Sequence, residues 1–182
     1  MKRQTAKDIL VASFRELAEK RTIDKITIKE ITVNCGYSPA TFYRHFNDKY
    51  DLIAWDYTRK LRALVEKIGT GEGSWKQALE DTVAYYDEDR EYLRNLFMHT
   101  KGMDSFVLNM TEINYAHLAD CVREVAGLRE LEKETDMYVR LYVMGTVNIA
   151  CEWILGRYDV SPKELAAIYE SSLPEPLKKY LI

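Results

Sequence analysis

The stretch Thr27–Leu52, TIKEITVNCGYSPATFYRHFNDKYDL, leaves little choice over its local structure. Thr27-Ile-Lys-Glu30 is a capping box, in which the Thr27 hydroxyl caps a helix start and Glu30 reaches back to the cap. Ile26 and Ile31 occupy the two positions of a hydrophobic staple around it. About two turns on, Asn34-Cys-Gly36 brings the glycine that tolerates a left-handed cap. Ser38 as N-cap and Pro39 at the first helical position then start a second helix at once. Phe42 and Phe46, four apart, share its inward face, and Thr41, Arg44 and His45 fall away from that face. Two short amphipathic helices must therefore meet across a tight turn.

The rest of the chain also reads as helix. Thr5-Ala-Lys-Asp8 signals a cap, and behind it Ile9, Leu10, Ser13, Phe14 and Leu17 recur at helical spacing. Asp48 caps a long fourth helix. Gly69-Thr-Gly-Glu-Gly73 reads as a linker, because a phosphate loop would need a preceding strand and a following Lys-Ser/Thr. Capping boxes at Ser74-Trp-Lys-Gln77 and Ser161-Pro-Lys-Glu164 open two later helices, with others near Asp89–Met98, Ser105–Val125 and Glu134–Gly156. Pro174 and Pro176 are expected to end the last one. With 8 Gly and 4 Pro in 182 residues there is little room for the turns of a β fold. The expected class is all-α, with about nine helices.

Charge divides the chain. Residues 1–50 hold 10 Lys and Arg against 6 Asp and Glu, and the remainder holds 16 against 23. A basic head on an acidic body suits one end that faces a polyanion. The second helix of the pair carries the residue types that grip phosphates and touch base edges, on an element short enough for the major groove. Ser38, Pro39, Ala40 and Thr41 offer small side chains at the groove, and Tyr43 can lie along the sugar-phosphate backbone. Arg44, His45 and Lys49 are anchors, joined by Lys2 and Arg3 on the N-terminal arm and by Lys29. Thr27 caps a helix whose first amides can donate to a phosphate oxygen. Double-stranded DNA is the expected partner.

Other classes find little support. Cys35, Cys121 and Cys151 are widely spaced, lack any CxxC, and read as buried hydrophobes in a reducing compartment. Met1–Lys20 is charged throughout, unlike a signal peptide, and no apolar run approaches a membrane span. A cytoplasmic protein is expected. His117 and Cys121 are four apart, but no third ligand or catalytic partner is evident, so no metal, cofactor or enzymatic activity is expected.

Residues 5–52 resemble the N-terminal domain of the tetracycline-repressor (TetR) family of bacterial transcription regulators. The likeness is carried by Ile9-Leu-Val-Ala-Ser13, Thr27-Ile-Lys-Glu-Ile31, Cys35-Gly-Tyr-Ser38, and Thr41-Phe-Tyr-Arg-His-Phe46 followed by Lys49 and Leu52. It implies that Thr27, Ser38, Thr41, Tyr43, His45 and Lys49 lie at the DNA. Arg21 stands where the family often has Gly, and Thr32 replaces a usual Ala. Ala150-Cys-Glu-Trp-Ile-Leu-Gly156 with Val160-Ser-Pro-Lys-Glu-Leu165 is similar to a TetR subgroup that includes regulators of dihydroxyacetone-kinase operons. The resemblance implies a DNA-binding unit at residues 1–50 and a regulatory and dimerising unit at 51–182.

The helix Glu134–Gly156 is apolar nearly all round, so it needs cover on two sides, one of them a second copy. Leu141, Gly145, Asn148, Glu152 and Leu155, with Leu165, Ile168 and Tyr169 of the last helix, are the expected seam of a homodimer that reads a palindrome. Tyr85, Tyr86, Phe97, His99, Tyr115, Tyr138 and Tyr142 are candidate linings of an effector pocket, with Asn114, His117 and Asn148 as further polar contacts. By family analogy the chain is a repressor released by a small molecule. The alternative is an activator, or a regulator governed by a protein partner.

Overall fold

The computed structural model describes residues 4–65, 73–101 and 105–182. Among them are ten α-helices and one turn of 3-10 helix. In order they are α1 (Ala6–Ala18), the 3-10 turn Ile23–Lys25, α2 (Ile28–Asn34), α3 (Pro39–Tyr43), α4 (Lys49–Val65) and α5 (Trp75–Glu88). They continue with α6 (Arg90–His99), α7 (Phe106–Ala126), α8 (Lys133–Ile154), α9 (Pro162–Ser171) and α10 (Glu175–Leu181). The all-α expectation holds. None of the helices is long and apolar enough to cross a membrane.

Local signals set most of these boundaries. Complete capping boxes close on Thr5, Thr27 and Ser161. Ser74 caps α5 by accepting from the Gln77 amide, but Gln77 turns its own carboxamide to Asp81 instead of completing the box. Gly36, at φ 71°, makes the turn between α2 and α3 in the left-handed region, where a Cβ would be strained. The helix missing from the sequence expectation is α10. Pro176 lies in its first turn, where a proline starts a helix as readily as it stops one. Leu177 and Leu181 are buried, and α10 packs on α7 and α8. Most of the glycine-rich linker, residues 69–72, lies outside the described residues.

The first three helices and the start of α4 form a small head around Leu10, Phe14, Ile31, Phe42 and Phe46, all buried. Trp55 of α4 packs edge-on against Phe46, and the Lys7 ammonium lies over both rings. Burying side chains of this size contributes about 1.5–3 kcal/mol each. The remaining helices form the body, in which α7 packs on α4 and α8, and α5 packs on α9. Trp153 closes the end of α8 by donating its indole N–H to Val160 O (2.8 Å) beneath the Arg90 guanidinium.

A charged cluster joins head to body. Arg15 of α1 donates to Asp56 of α4 (2.7 Å) and to Asp89 between α5 and α6 (2.9 Å). Lys60 pairs with Asp89 (2.6 Å), and Arg59 pairs with both Asp56 (3.2 Å) and Asp8. Burial pushes the Asp89 carboxyl up, but Lys60 and Arg15 outweigh it and hold it below the usual value.

Candidate nucleic-acid interface and regulatory cavity

The two helices at the tip of the head are held by contacts that the sequence pattern only half suggests. Ser13 of α1 donates to Ile31 O of α2 (2.7 Å), and Asn34 bridges from α2 to Ser13 and Glu16 (3.1 Å each). Thr32 is buried with its hydroxyl folded back on the carbonyls of Ile28 and Lys29, so its polar atom is satisfied where a smaller residue is usual. Phe42 is fully buried, which fixes the rotation of α3 about its axis.

With that rotation fixed, Ser38, Pro39, Ala40, Tyr43 and Arg44 are exposed on one surface, with Thr41 and His45 half-buried beside them. Tyr43 is 60% exposed despite its size. Ser38 Oγ lies 3.1 Å from Thr41 Oγ1, which also accepts from Arg44 Nη2 (3.1 Å). The three side chains form one hydrogen-bonded set at the start of α3. Lys29 is exposed on α2 nearby. Lys2 and Arg3 lie outside the described residues.

Two expected phosphate contacts have other work in this structure. Lys49 Nζ donates to the carbonyls of Ile23, Asp24 and Ile26 (2.8, 3.0 and 2.9 Å), so its three N–H donors cap the 3-10 turn. Thr27 directs its hydroxyl and its amide to Glu30 Oε2 (2.7 and 2.9 Å), and Arg21 pairs with the other Glu30 oxygen. A phosphate at Thr27 must displace that carboxylate. Arg21, the departure from the family pattern, also donates to Lys25 O (3.2 Å) and so braces the turn before α2.

Hydrogen bonds from Arg21 and Thr27 hold the Glu30 carboxyl at about 2, against an ordinary 4.5. A carboxyl whose folded value is depressed stabilises the fold above its unfolded value, and that contribution is lost as pH falls through the folded one. The α2 cap should therefore be intact at pH 5 and fail as the pH approaches 2. A carboxyl NMR titration that places Glu30 above 4 refutes this.

Within the body, α4, α5, α7, α8 and α9 surround a cavity open at one side. About 70 Å³ of it is open to the centre of a water-sized sphere, and all the space between atoms out to the mouth is about 650 Å³. Leu61, Trp75, Leu79, Leu118, Val143 and Val147 give it an apolar wall, and Thr82, Tyr86, Asn114, His117, Tyr142 and Tyr169 supply polar atoms. Several of these are committed to one another: Asn114 donates to Tyr57 OH (2.7 Å), itself 2.8 Å from Tyr86 OH. Tyr142 OH donates to Tyr169 O and Tyr169 OH to Thr146 O (2.8 Å each). Burial, with the Arg62 charge, pulls His117 below its ordinary value, and burial pushes the Cys121 thiol up to about 11. Among the described residues, no Asp, Glu, Lys or Arg lines the cavity.

Of the expected pocket residues, Tyr86 and Tyr142 line this cavity, and so do Asn114 and His117. The other six lie elsewhere, Asn148 being exposed on α8 with its amide donated to Met144 O (2.7 Å). Tyr85 packs beneath the Lys60 ammonium, and Phe97 packs at a tilt against Phe106. His99 faces Asp24 (3.7 Å), Tyr115 binds Asp136 under the Arg140 guanidinium, and Tyr138 is directed to Glu134. Trp75 and Tyr169, not expected there, complete the lining; spacing on separate helices carries no signal of which faces converge.

The apolar surplus on α8 is real. Met137, Leu141 and Met144 are 63%, 64% and 54% exposed on one stripe, with Gly145, Asn148 and Ile149 also exposed, and Ile168 of α9 is exposed too. A Cβ at Gly145 would meet nothing among the described residues within 4 Å. Leu155 is half-buried, and Glu152 is paired with Arg157. Leu165 and Tyr169 correct the expected seam: both are buried in their own chain, where α9 packs on α5.

Comparison with known proteins now decides the family. Residues 73–174 match the model described as the transcriptional regulator C-terminal region of TetR type, and residues 9–54 match that of the bacterial regulatory proteins of the tetR family. The chain belongs to the TetR family. It is a transcriptional regulator of that family. A curated relative, the HTH-type dhaKLM operon transcriptional activator DhaS of Lactococcus lactis, is 22% identical over 130 residues, 71% of this chain and 64% of its own length. The match thus spans less than two thirds of that relative. Among solved structures, a dihydroxyacetone kinase operon activator DhaS shares the fold at TM-score 0.67 and 16% identity, covering 97% of this chain and 98% of its own. Thermus thermophilus FadR, a repressor solved with lauroyl-CoA, does so at 0.64 and 14% identity, covering 92% of each chain.

Proposed function

We propose that this TetR-family regulator is a cytoplasmic homodimer that binds a palindromic operator through α3 and represses until a small molecule enters the body. Residues 1–50 act as the DNA-reading unit and 51–182 as the dimerising and regulatory unit. The observation that carries this reading is the surface of α3: Phe42 is buried while Ser38, Ala40, Tyr43 and Arg44 face outward together. The uncovered stripe on α8 supports pairing, because an exposed apolar patch on one helix of a folded chain marks a contact surface. Two copies reading two half-sites multiply a weak single contact.

The cavity supports a ligand without charge. A buried ion would need a paired partner there, and no described residue of the lining offers one at neutral pH. A ligand in the cavity, against Leu61 of α4, would alter how α4 carries the head, shifting the balance between DNA-competent and incompetent forms.

Selection from randomised duplexes is the deciding experiment, and recovery of no palindrome defeats the proposal. Thr41→Ala is expected to change which bases are recovered. Arg44→Ala should lower the slope of log affinity against log salt by about one, as loss of one phosphate contact does. Unchanged base preference with Thr41→Ala removes Thr41 from the reading face.

The likeness to DhaS, named as an activator, favours a second reading in which the bound dimer raises transcription. A reporter driven by the recovered operator separates the two, since its output falls with a repressor and rises with an activator.

A further inference from the structure

Between α1 and the 3-10 turn the chain bends through residues 19–22, and much of its hydrogen bonding comes from outside the head. Asn95 of α6 donates through Nδ2 to Ala18 O (2.9 Å) and Arg21 O (2.8 Å). Its Oδ1 accepts from the Ile23 amide (3.2 Å). One carboxamide thus directs both donors and an acceptor at a single bend. From another side, Lys49 at the start of α4 takes the Ile23, Asp24 and Ile26 carbonyls, and the Ile23 side chain is fully buried. The bend is pinned to α4, which leads out of the head, and to α6, which belongs to the body.

We infer that Asn95 is a positioning residue for DNA binding: it fixes the angle of the head on α6, and so the separation of the two α3 helices in the dimer. The inference rests on the palindrome-binding dimer proposed above. A head attached through α4 alone can swing about that helix, and a second attachment removes the swing. The Arg15 ion pairs also cross from head to body and are hydrogen-bonded, but they hang on a long side chain whose rotatable bonds let it follow a shift of an ångström. Hydrogen bonds weaken steeply with distance and angle. Three of them from one short, planar side chain define an orientation that the ion pairs leave soft.

The test uses the operator recovered by selection and two versions with one base pair inserted or deleted between the half-sites. One base pair turns one half-site against the other by about 35°. Wild type should lose about tenfold in affinity on either altered operator, the cost of a typical mismatch. Asn95→Ala should lose about threefold or less on altered spacing relative to its own best operator. Its base preference within each half-site should be unchanged. If Asn95 serves only stability, affinity falls by the same factor on every spacing, the ratio stays at the wild-type value, and the inference is overturned. Asn95→Ser keeps one donor and one acceptor on a shorter arm. It should fall between the two, and it stands in if the alanine chain does not remain folded. A wild type that binds no palindrome sinks the functional reading together with this inference. A wild type and variant that discriminate spacing equally sink the inference alone.

Discussion

A chain carrying Leu141→Glu is expected to run as a folded monomer in sedimentation and to lose about a hundredfold or more in operator affinity. Leu141 lies on the exposed stripe of α8 between Met137 and Met144, and it buries little within its own chain. The substitution should therefore leave the melting temperature of the monomeric fold nearly unchanged. In a two-fold seam the same patch meets its own copy, so a single change installs two carboxylates across the interface. Like charges brought together and desolvated cost several kcal/mol, enough to dissociate a modest homodimer. Each monomer keeps an intact α3 but loses the second half-site, and binding falls to that of one weak contact. A Leu141→Glu chain that stays dimeric at micromolar concentration would remove this face of α8 from the seam. Leu165 and Tyr169 provide the contrast, because both are buried in their own chain where α9 packs on α5. Polar changes there should unfold the chain rather than divide it.

The difference between Leu141 and Leu165 also shows what the sequence can carry. Helical periodicity identifies an apolar face but not what covers it, so residues of the expected seam divided between an open stripe and a closed core. Caps were legible because they are settled within four residues: Thr5, Thr27 and Ser161 each close their box with the third residue on. The outward face of α3 was legible for a similar reason, since Phe42 and Phe46 can only point inward and thereby aim Tyr43 and Arg44. Contacts distant along the chain were not. Nothing local to Lys49 distinguishes a phosphate anchor from a cap on the 3-10 turn 23 to 26 residues earlier. Asn95 looks like any polar residue on a surface helix until α6 is laid beside the bend at residues 18–23. Tyr115 and Tyr138 miss the cavity that Tyr86 and Tyr142 line, because polar tips find partners equally well at the surface, here on Asp136 and Glu134.

The buried end of the charged cluster carries the largest stability effect expected of a single side chain. Asp56 is 1% exposed and holds Arg15 Nε at 2.7 Å, with Arg59 on its other oxygen. Arg15 is largely covered, lies 4.1 Å from the Tyr92 ring centre, and its Nη2 finds no hydrogen-bond partner among the described residues. Asp56→Ala leaves that guanidinium half-compensated, with Asp89 as its remaining anion. Removing one member of a buried pair costs about 3–5 kcal/mol, because the other charge stays out of water. In urea, the unfolding midpoint of Asp56→Ala should fall while the slope stays constant, since the area exposed on unfolding is the same. Combining Asp56→Ala with Arg15→Leu should recover part of the loss, as the stranded charge goes with its partner. A double variant that merely adds the two single losses would show that Arg15 and Asp56 act independently, despite their contact. Arg15 belongs to α1, Asp56 to α4 and Asp89 to the junction of α5 and α6, so the same substitution also loosens the head from the body. The operator affinity of Asp56→Ala should then fall even at temperatures where the chain remains folded.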